Sequence, residues 1–212
     1  MHHRNELAAK VAPFLERYNQ GQVAAKWREQ SQIFQSFWND RIMASTTGAI
    51  PDADCDQIIR FLDRGGKGNT EGSEAIARAM IPQGAWRRML NELHVNKALG
   101  LALDRALKEI DPTRKAAAID EVYMLNGGQR NYLSGRSGNA VGALIAAFDP
   151  TANLSMISLN DRHTLIDYLN LDLPFDWEES SIGTRIAHTN GAIMAAAIEL
   201  GLPASARTIT AF

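Results

Sequence analysis

Residues 23–44 read VAAKWREQSQIFQSFWNDRIMA. The large apolar side chains of this stretch recur at the three- and four-residue spacing of one broad helix face; they are Trp27, Ile33, Phe34, Phe37, Trp38 and Ile42. Such an aromatic face either stacks on nucleotide bases or packs into a core, and helical spacing favours the core. The stretch therefore predicts a long buried helix and a mainly α fold.

The same periodicity extends outward on both sides of this stretch. It predicts further helices over residues 5–19, 55–62, 73–81, 85–93, 94–109, 114–125, 140–148, 161–169 and 183–200. Residues 154–159 alternate as a strand would, so we expect a multi-helix domain with at most one short strand pair. We expect a single module over residues 1–212, with a subdivision near 111–113 or 149–153 as the alternative.

Composition excludes several classes of protein. With 45% hydrophobic and 22% charged residues, the chain can bury a sizeable core. Its single cysteine, Cys55, excludes an internal disulfide, and five histidines give little material for a metal site. We therefore expect no metal and no cofactor. The sequence has neither a membrane span nor a secretory signal, which favours a cytoplasmic protein.

Charge is distributed unevenly along the chain. The formal net charge is −2, yet residues 60–136 carry thirteen Lys and Arg against nine Asp and Glu. Residues 149–199, in contrast, carry two basic against eight acidic residues. A basic middle third is what a local nucleic-acid footprint would look like, and solvated helix faces are the alternative.

The loop and helix start at residues 126–142 read NGGQRNYLSGRSGNAVG. Glycines ahead of a helix predict an anion cradle, because they let backbone N–H groups turn inward beside the positive end of the helix dipole. The charged arms would be Arg130 and Arg136, and the neutral contacts Asn131, Ser134, Ser137 and Asn139. The spacing fits neither a P-loop nor a dinucleotide-binding fingerprint. A plain interhelical loop with an Asn139 N-cap is the alternative.

A second glycine-rich loop, residues 65–70, carries Lys67 and precedes a possible helix-turn-helix. Its two helices would cover residues 74–80 and 85–92, around the turn 81–84. Four outward side chains would then suit a DNA groove or its phosphates, namely Gln83, Arg87, Arg88 and Asn91. Helix pairs of this kind are also common in plain bundles, so that alternative stays open.

Catalytic motifs are missing from the sequence. Residues 154–159 lack the acid-x-Lys pair of a metal-dependent nuclease, and His163 and His188 each lie beside helix-capping residues, where a structural role is usual. Cys55 lies within an amphipathic helix pattern, which predicts an inert buried thiol. We therefore name no catalytic residue within residues 1–212.

Five segments together resemble the N-terminal modules of bacterial restriction-type and other DNA-defence proteins. They are residues 66–69, 81–88, 131–139, 158–162 and 190–193. The resemblance covers most of the chain from about residue 36 and names no single family. It implies a DNA-reading or docking module whose nuclease lies beyond Phe212, and the apolar C-terminal end agrees with a module of a longer protein.

The sequence thus predicts a nucleic-acid-binding module, with DNA as the expected partner, in which basic glycine-rich loops hold the phosphate backbone. Arg162 is a further candidate phosphate contact. Two alternatives remain. One is a protein-protein interaction or oligomerisation domain, which would use the small-residue run 192–198. The other is an enzyme acting on a phosphorylated small molecule, for which no catalytic base is evident.

Overall fold

The computed structural model describes residues 2–44, 48–63, 75–127, 129 and 131–212. Within these ranges lie ten α-helices: α1 (His2–Arg17), α2 (Gln20–Phe37), α3 (Asp52–Leu62), α4 (Gln83–Val95), α5 (Lys97–Lys108), α6 (Pro112–Leu125), α7 (Asn139–Phe148), α8 (Leu159–Leu169), α9 (Ile182–Glu199) and α10 (Ala206–Ala211). The predicted mainly α fold is confirmed.

The predicted strand pair is wrong for the part of the chain that the structure describes. Residues 154–158 are irregular, and α8 begins at Leu159. Among the described residues, backbone pairing of the β type is limited to one isolated parallel β-bridge between Asp63 and Ala77. The side chain of Ser158 accepts a hydrogen bond from the backbone N–H of Asp161, so it caps α8 and turns the chain into a helix.

The aromatic side chains of stretch 23–44 and Ile42 pack into the core, as their spacing predicts, whereas Ile33, predicted on the same face, is 37% exposed. The stretch divides into α2 and a π-helical segment, Trp38–Met43, instead of one continuous α-helix. Trp27, Phe34 and Trp38 are each at most 2% exposed. The indole N–H of Trp38 donates to the carboxylate of Asp104 on α5 at 2.9 Å, which gives this buried polar atom a partner. Burial of this face joins α2 to the central helices.

The first helix of the predicted helix-turn-helix, residues 74–80, does not form over residues 75–80, the part of it that the structure describes. Residues 75–82 are irregular, and the second helix, α4, begins only at Gln83. The cause is the Asp63 carboxylate, which is 0% exposed and accepts four hydrogen bonds from the described part of the chain. They come from the backbone N–H groups of residues 79, 80 and 81 at 3.1, 3.2 and 2.9 Å and from the Trp86 indole at 3.0 Å. We call this set of contacts the Asp63 clasp.

The Asp63 clasp overrides helix propensity because a buried carboxylate without donors is far more costly than an unwound turn. Backbone N–H groups that point at Asp63 cannot donate within a helix of their own. Met80 takes up the strain, with a positive φ of 59° and a side chain that is 63% exposed. The predicted helix-turn-helix geometry is therefore not formed.

Two hydrophobic clusters make up the interior. The larger contains the aromatic side chains of α2 together with apolar side chains of α3 to α7, and the smaller contains residues of α1, α8, α9 and α10. Helix α9 belongs to both, through Ile186 in the larger and Ile193 in the smaller. At the C-terminal end, the Phe212 ring packs edge-on against Phe14 with 5.3 Å between centroids.

Helices α6 and α9 approach each other unusually closely. A Cβ on Gly183 would lie 2.2 Å from the carbonyl oxygen of Ala116, so only glycine fits at this crossing. The Asp120 carboxylate of α6 accepts from the Gly183 N–H at 2.8 Å and from the Ser181 hydroxyl at 2.6 Å. This carboxylate therefore caps α9 from a neighbouring helix.

Helices able to cross a membrane are lacking in the described ranges, since none is both long and apolar enough.

Replacing Asp63 by Ala tests the clasp. The D63A variant leaves several buried N–H donors unpaired, and we expect the free energy of unfolding to fall by about 3 kcal/mol or more. D63N should not restore stability, because its amide N–H₂ would face the same donors. Urea unfolding followed by circular dichroism measures the effect. The exposed Asp40→Ala variant is the control, with an expected change within about 0.5 kcal/mol; equal stability of D63A and D40A would contradict the clasp.

Candidate nucleic-acid interface

The loop at residues 131–139 is held in place by the C-terminal end of α6. The Tyr123 hydroxyl donates to the carbonyl oxygen of Gly135 at 2.7 Å. The Asn126 amide, which is 1% exposed, donates to the side chains of Asn131 at 2.8 Å and Ser134 at 2.7 Å. Asn131 therefore has a structural role in the loop, and the predicted nucleic-acid contact from its side chain competes with these bonds.

The first turn of α7 is covered by apolar side chains. Gly138 caps it in the left-handed conformation, with φ of 70°. A Cβ on this glycine would lie 2.9 Å from Cδ1 of Ile186 and 3.5 Å from Cδ1 of Leu159. The Asn139 Oδ1 atom is buried and unpaired in the described chain, and it is an acceptor that would repel an anion. This packing does not support the predicted anion cradle at the helix end, nor Asn139 as the N-cap.

The exposed part of the loop is its tip, which we define as Tyr132, Arg136 and Ser137. Tyr132 is 47% exposed. The Arg136 guanidinium forms no hydrogen bond or ion pair with any described residue. The tip thus offers solvent a free guanidinium, a hydroxyl and an aromatic ring. Tyr132 was missed by sequence reasoning, although an aromatic residue within a Gly- and Ser-rich loop was a usable signal.

The predicted groove-reading residues of α4 are largely engaged by protein. Arg87 makes a bidentate pair with the Asp56 carboxylate of α3 at 2.7 and 2.6 Å, and it lies 3.3 Å from Asp52. Hydrogen bonding from Arg87, followed by one from Gln83, lowers the pKa of Asp56 below its usual value. Both predicted contacts thus brace α4 against α3, and the pairing with Asp56 removes them from the set of free donors.

Arg88 differs from its neighbour because it is exposed and has no partner among the described residues. It remains available for a phosphate. The predictions for Lys67 and Arg130 fall outside the described residues, as does the rest of the glycine-rich loop 65–70.

Arg162 is buried, which corrects its prediction as a backbone contact. It is 2% exposed, and its guanidinium donates to the carbonyl oxygens of Met156 at 2.7 Å and Ile186 at 2.8 Å and to the Thr189 hydroxyl at 3.1 Å. Burial lowers the pKa of Arg162 to about 10. A duplex or single strand cannot reach this side chain without unpacking α8 from α9.

Cys55 and His163, two side chains with groups that can take part in catalysis, are both packed against other parts of the chain. Cys55 is 0% exposed, and burial raises its pKa to about 11, so the thiolate is scarce near neutral pH. The His163 ring stacks on Trp177 with 4.3 Å between centroids. Clusters of three or more potential metal ligands do not occur among the residues that the structure describes.

Comparison with protein-family models, curated proteins and solved structures yields no match. The resemblance to DNA-defence modules therefore stays a prediction.

The ion pair between Arg87 and Asp56 should make the free energy of unfolding depend on pH. Because the folded-state pKa of Asp56 is lowered, its contribution to stability is present above the ordinary value of 3.8 and is lost as the pH falls through the lowered value. Wild type should therefore exceed Asp56→Asn in stability at neutral pH, and the difference should vanish in strong acid. Urea unfolding across this range measures both variants.

Arg87→Ala should also lower stability, whereas its neighbour Arg88→Ala should leave it unchanged. Equal effects of the two arginine variants would mean that the ion pair does not brace α4.

Proposed function

We propose that this chain is a nucleic-acid-binding module, with DNA as the expected partner, that contacts the phosphate backbone through the loop tip. The observation that carries the proposal is Arg136. It is exposed, has no protein partner in the described chain, and lies on a loop fixed by Tyr123 and Asn126. A guanidinium of this kind is suited to a phosphate, because it is free to pair with it and because the loop backbone that carries it is already held in place.

Three features support this proposal. Ser137 can add a neutral hydrogen bond to the same phosphate, and Tyr132 offers a ring on which an unpaired base can stack. Arg88 gives a second unpaired guanidinium on α4. Both arginines belong to residues 60–136, the basic third of the chain. Specific base reading by Gln83 and Arg87 is not part of the proposal, because Asp56 engages both.

Salt dependence tests the proposal. Each phosphate contact neutralised by the protein contributes about 0.9 to the slope of log affinity against log salt concentration. Arg136→Ala should weaken binding to a fluorescent duplex at low salt and reduce that slope by about 0.9. Fluorescence anisotropy at several salt concentrations gives both values. Tyr132→Ala should weaken single-strand binding more than duplex binding.

Arg28→Ala is the matched control, because Arg28 is exposed on α2 and its guanidinium donates to a carbonyl oxygen of its own helix. It should leave the slope unchanged. Absence of binding to duplex and single strands at low salt would reject the proposal, and equal slopes for R136A and R28A would remove Arg136 from the site.

The interaction-domain alternative loses one of its supports. In the run 192–198, Ile193, Ala196 and Ala197 are buried within this chain, and Ile198 is 45% exposed. Packing within the chain thus accounts for these three buried residues of the run. A cytoplasmic, restriction-type setting is part of our proposal and rests on the composition and on the sequence resemblance.

A further inference from the structure

A cleft of about 390 Å³ opens between the turn joining α5 to α6, the C-terminal end of α7 and the middle of α9. Its volume lies within the range of small-molecule sites, roughly 300–1,000 Å³. Three cations line it: Lys108 of α5, which is exposed and pairs with Asp104, and the buried Lys115 of α6 and Arg162 of α8, which are 8% and 2% exposed. Two buried cations along one cleft require an explanation, because burying a charge without a counter-ion is costly.

No residue in the described ranges forms a hydrogen bond or an ion pair with the ammonium of Lys115. Burial lowers the pKa of Lys115, and the carboxylates of Asp149 and Glu109 oppose that shift from a distance. The side chain is thus held beside the cleft, close enough to these carboxylates to feel their charge but not paired with them.

Both carboxylates are engaged elsewhere. Glu109 lies 3.4 Å from the guanidinium of Arg114 and accepts from two backbone N–H groups of its own turn. Asp149 accepts from the backbone N–H of Thr151 at 3.0 Å and from its hydroxyl at 2.6 Å. Their hydrogen bonds fix the walls of the cleft and leave the ammonium of Lys115 without a direct partner.

Arg162 is bonded to protein, but only to neutral oxygens. Its acceptors are backbone carbonyl groups and the Thr189 hydroxyl, and no carboxylate pairs with it in the described structure. These bonds satisfy its donors without balancing its charge. Lys115 and Arg162 thus both lack a paired carboxylate, and an anion in the cleft would supply the missing counter-charge.

We propose that this cleft binds a small organic acid whose carboxylate or phosphate group contacts the ammonium of Lys115. The lining also includes two side-chain amides, Asn153 and Gln35. The Asn153 amide donates to the Asp149 carbonyl at 3.0 Å, and the Gln35 amide donates to the Phe148 carbonyl at 2.7 Å. Because these amide N–H groups are used as donors, the side-chain oxygens of Asn153 and Gln35 remain as acceptors. Hydroxyl or amino groups on the ligand fit these positions.

An NMR titration tests this site with two probes, sodium phosphate and sodium lactate, against sodium chloride at equal ionic strength. We expect saturable shifts of the amide signals of Ile110, Asn153 and Asn190 with at least one probe. The stronger response identifies the acid group that the cleft prefers. No saturable shift at the cleft with either anion would overturn the proposal.

Lys115→Met removes the charge and keeps the length of the stem. It should fold, because loss of an unpaired buried charge is not costly. We expect its affinity for the responding anion to fall at least about tenfold, the loss of one charge-assisted hydrogen bond. Lys10→Met on α1 is the matched control and should bind like wild type, whereas unchanged affinity in K115M would overturn the proposal.

The location of the shifts decides the outcome even if K115M fails to fold. Shifts confined to residues 134–139 would place the anion at the loop tip and overturn the cleft site. The cleft does not depend on the nucleic-acid proposal, since Arg136→Ala should leave the cleft titration unchanged and K115M should bind nucleic acid like wild type. Failure of one proposal is thus distinguishable from failure of the other.

Discussion

The buried carboxylate of Asp63 is the constraint on which the junction between α3 and α4 depends. Four N–H donors converge on it, and it is completely shielded from solvent. A charge in this position is tolerated only when its acceptor sites are filled, so the backbone of residues 79–81 must wrap around it. That wrapping delivers Trp86 to the core and sets where α4 begins. The ion pair between Arg87 and Asp56 then braces the same two helices on their outer side.

Charged side chains in this protein divide into two groups by their environment. Asp63, Asp120 and Asp56 act within the fold, each satisfying donors from a neighbouring element. Arg136 and Arg88 face solvent and lack partners in the described chain. This division separates the proposed nucleic-acid contacts from structural ion pairs more sharply than the charge balance along the sequence does. Lys115 and Arg162 belong to neither group, which is why the cleft between α5, α7 and α9 is informative.

Helix positions could be predicted from the sequence because apolar periodicity reports burial directly. The aromatic face of residues 23–44 is the clearest example, and its assignment to the core was correct. The prediction of a helix over residues 74–80 failed at residues 75–80, which the structure describes as irregular. A single acidic residue outside that segment decided otherwise, since hydrogen bonds to a buried charge outweigh propensities of a few tenths of a kcal/mol per residue.

The candidate site could be predicted only in part. The loop around Arg136 stood out through its glycines and arginines, and the exposed guanidinium fits that prediction. Arg87 and Arg162 have the same residue type, yet one is paired and the other buried. No local pattern reveals this, because the partners of Arg87 lie about thirty residues away, in α3, and those of Arg162 include residues of α9.

The sequence by itself determined the mainly α class, the core residues of α2, the inert environment of Cys55 and the uneven charge, because each follows from residue type and local spacing. Only the tertiary structure decided that residues 75–82 are irregular, that the first turn of α7 is closed by Ile186 and Leu159, and that Lys115 lines a cleft. These features depend on contacts between segments that lie far apart in the sequence. Such contacts determine which side chains are buried and which charges are paired, and residue type and local spacing do not reveal them.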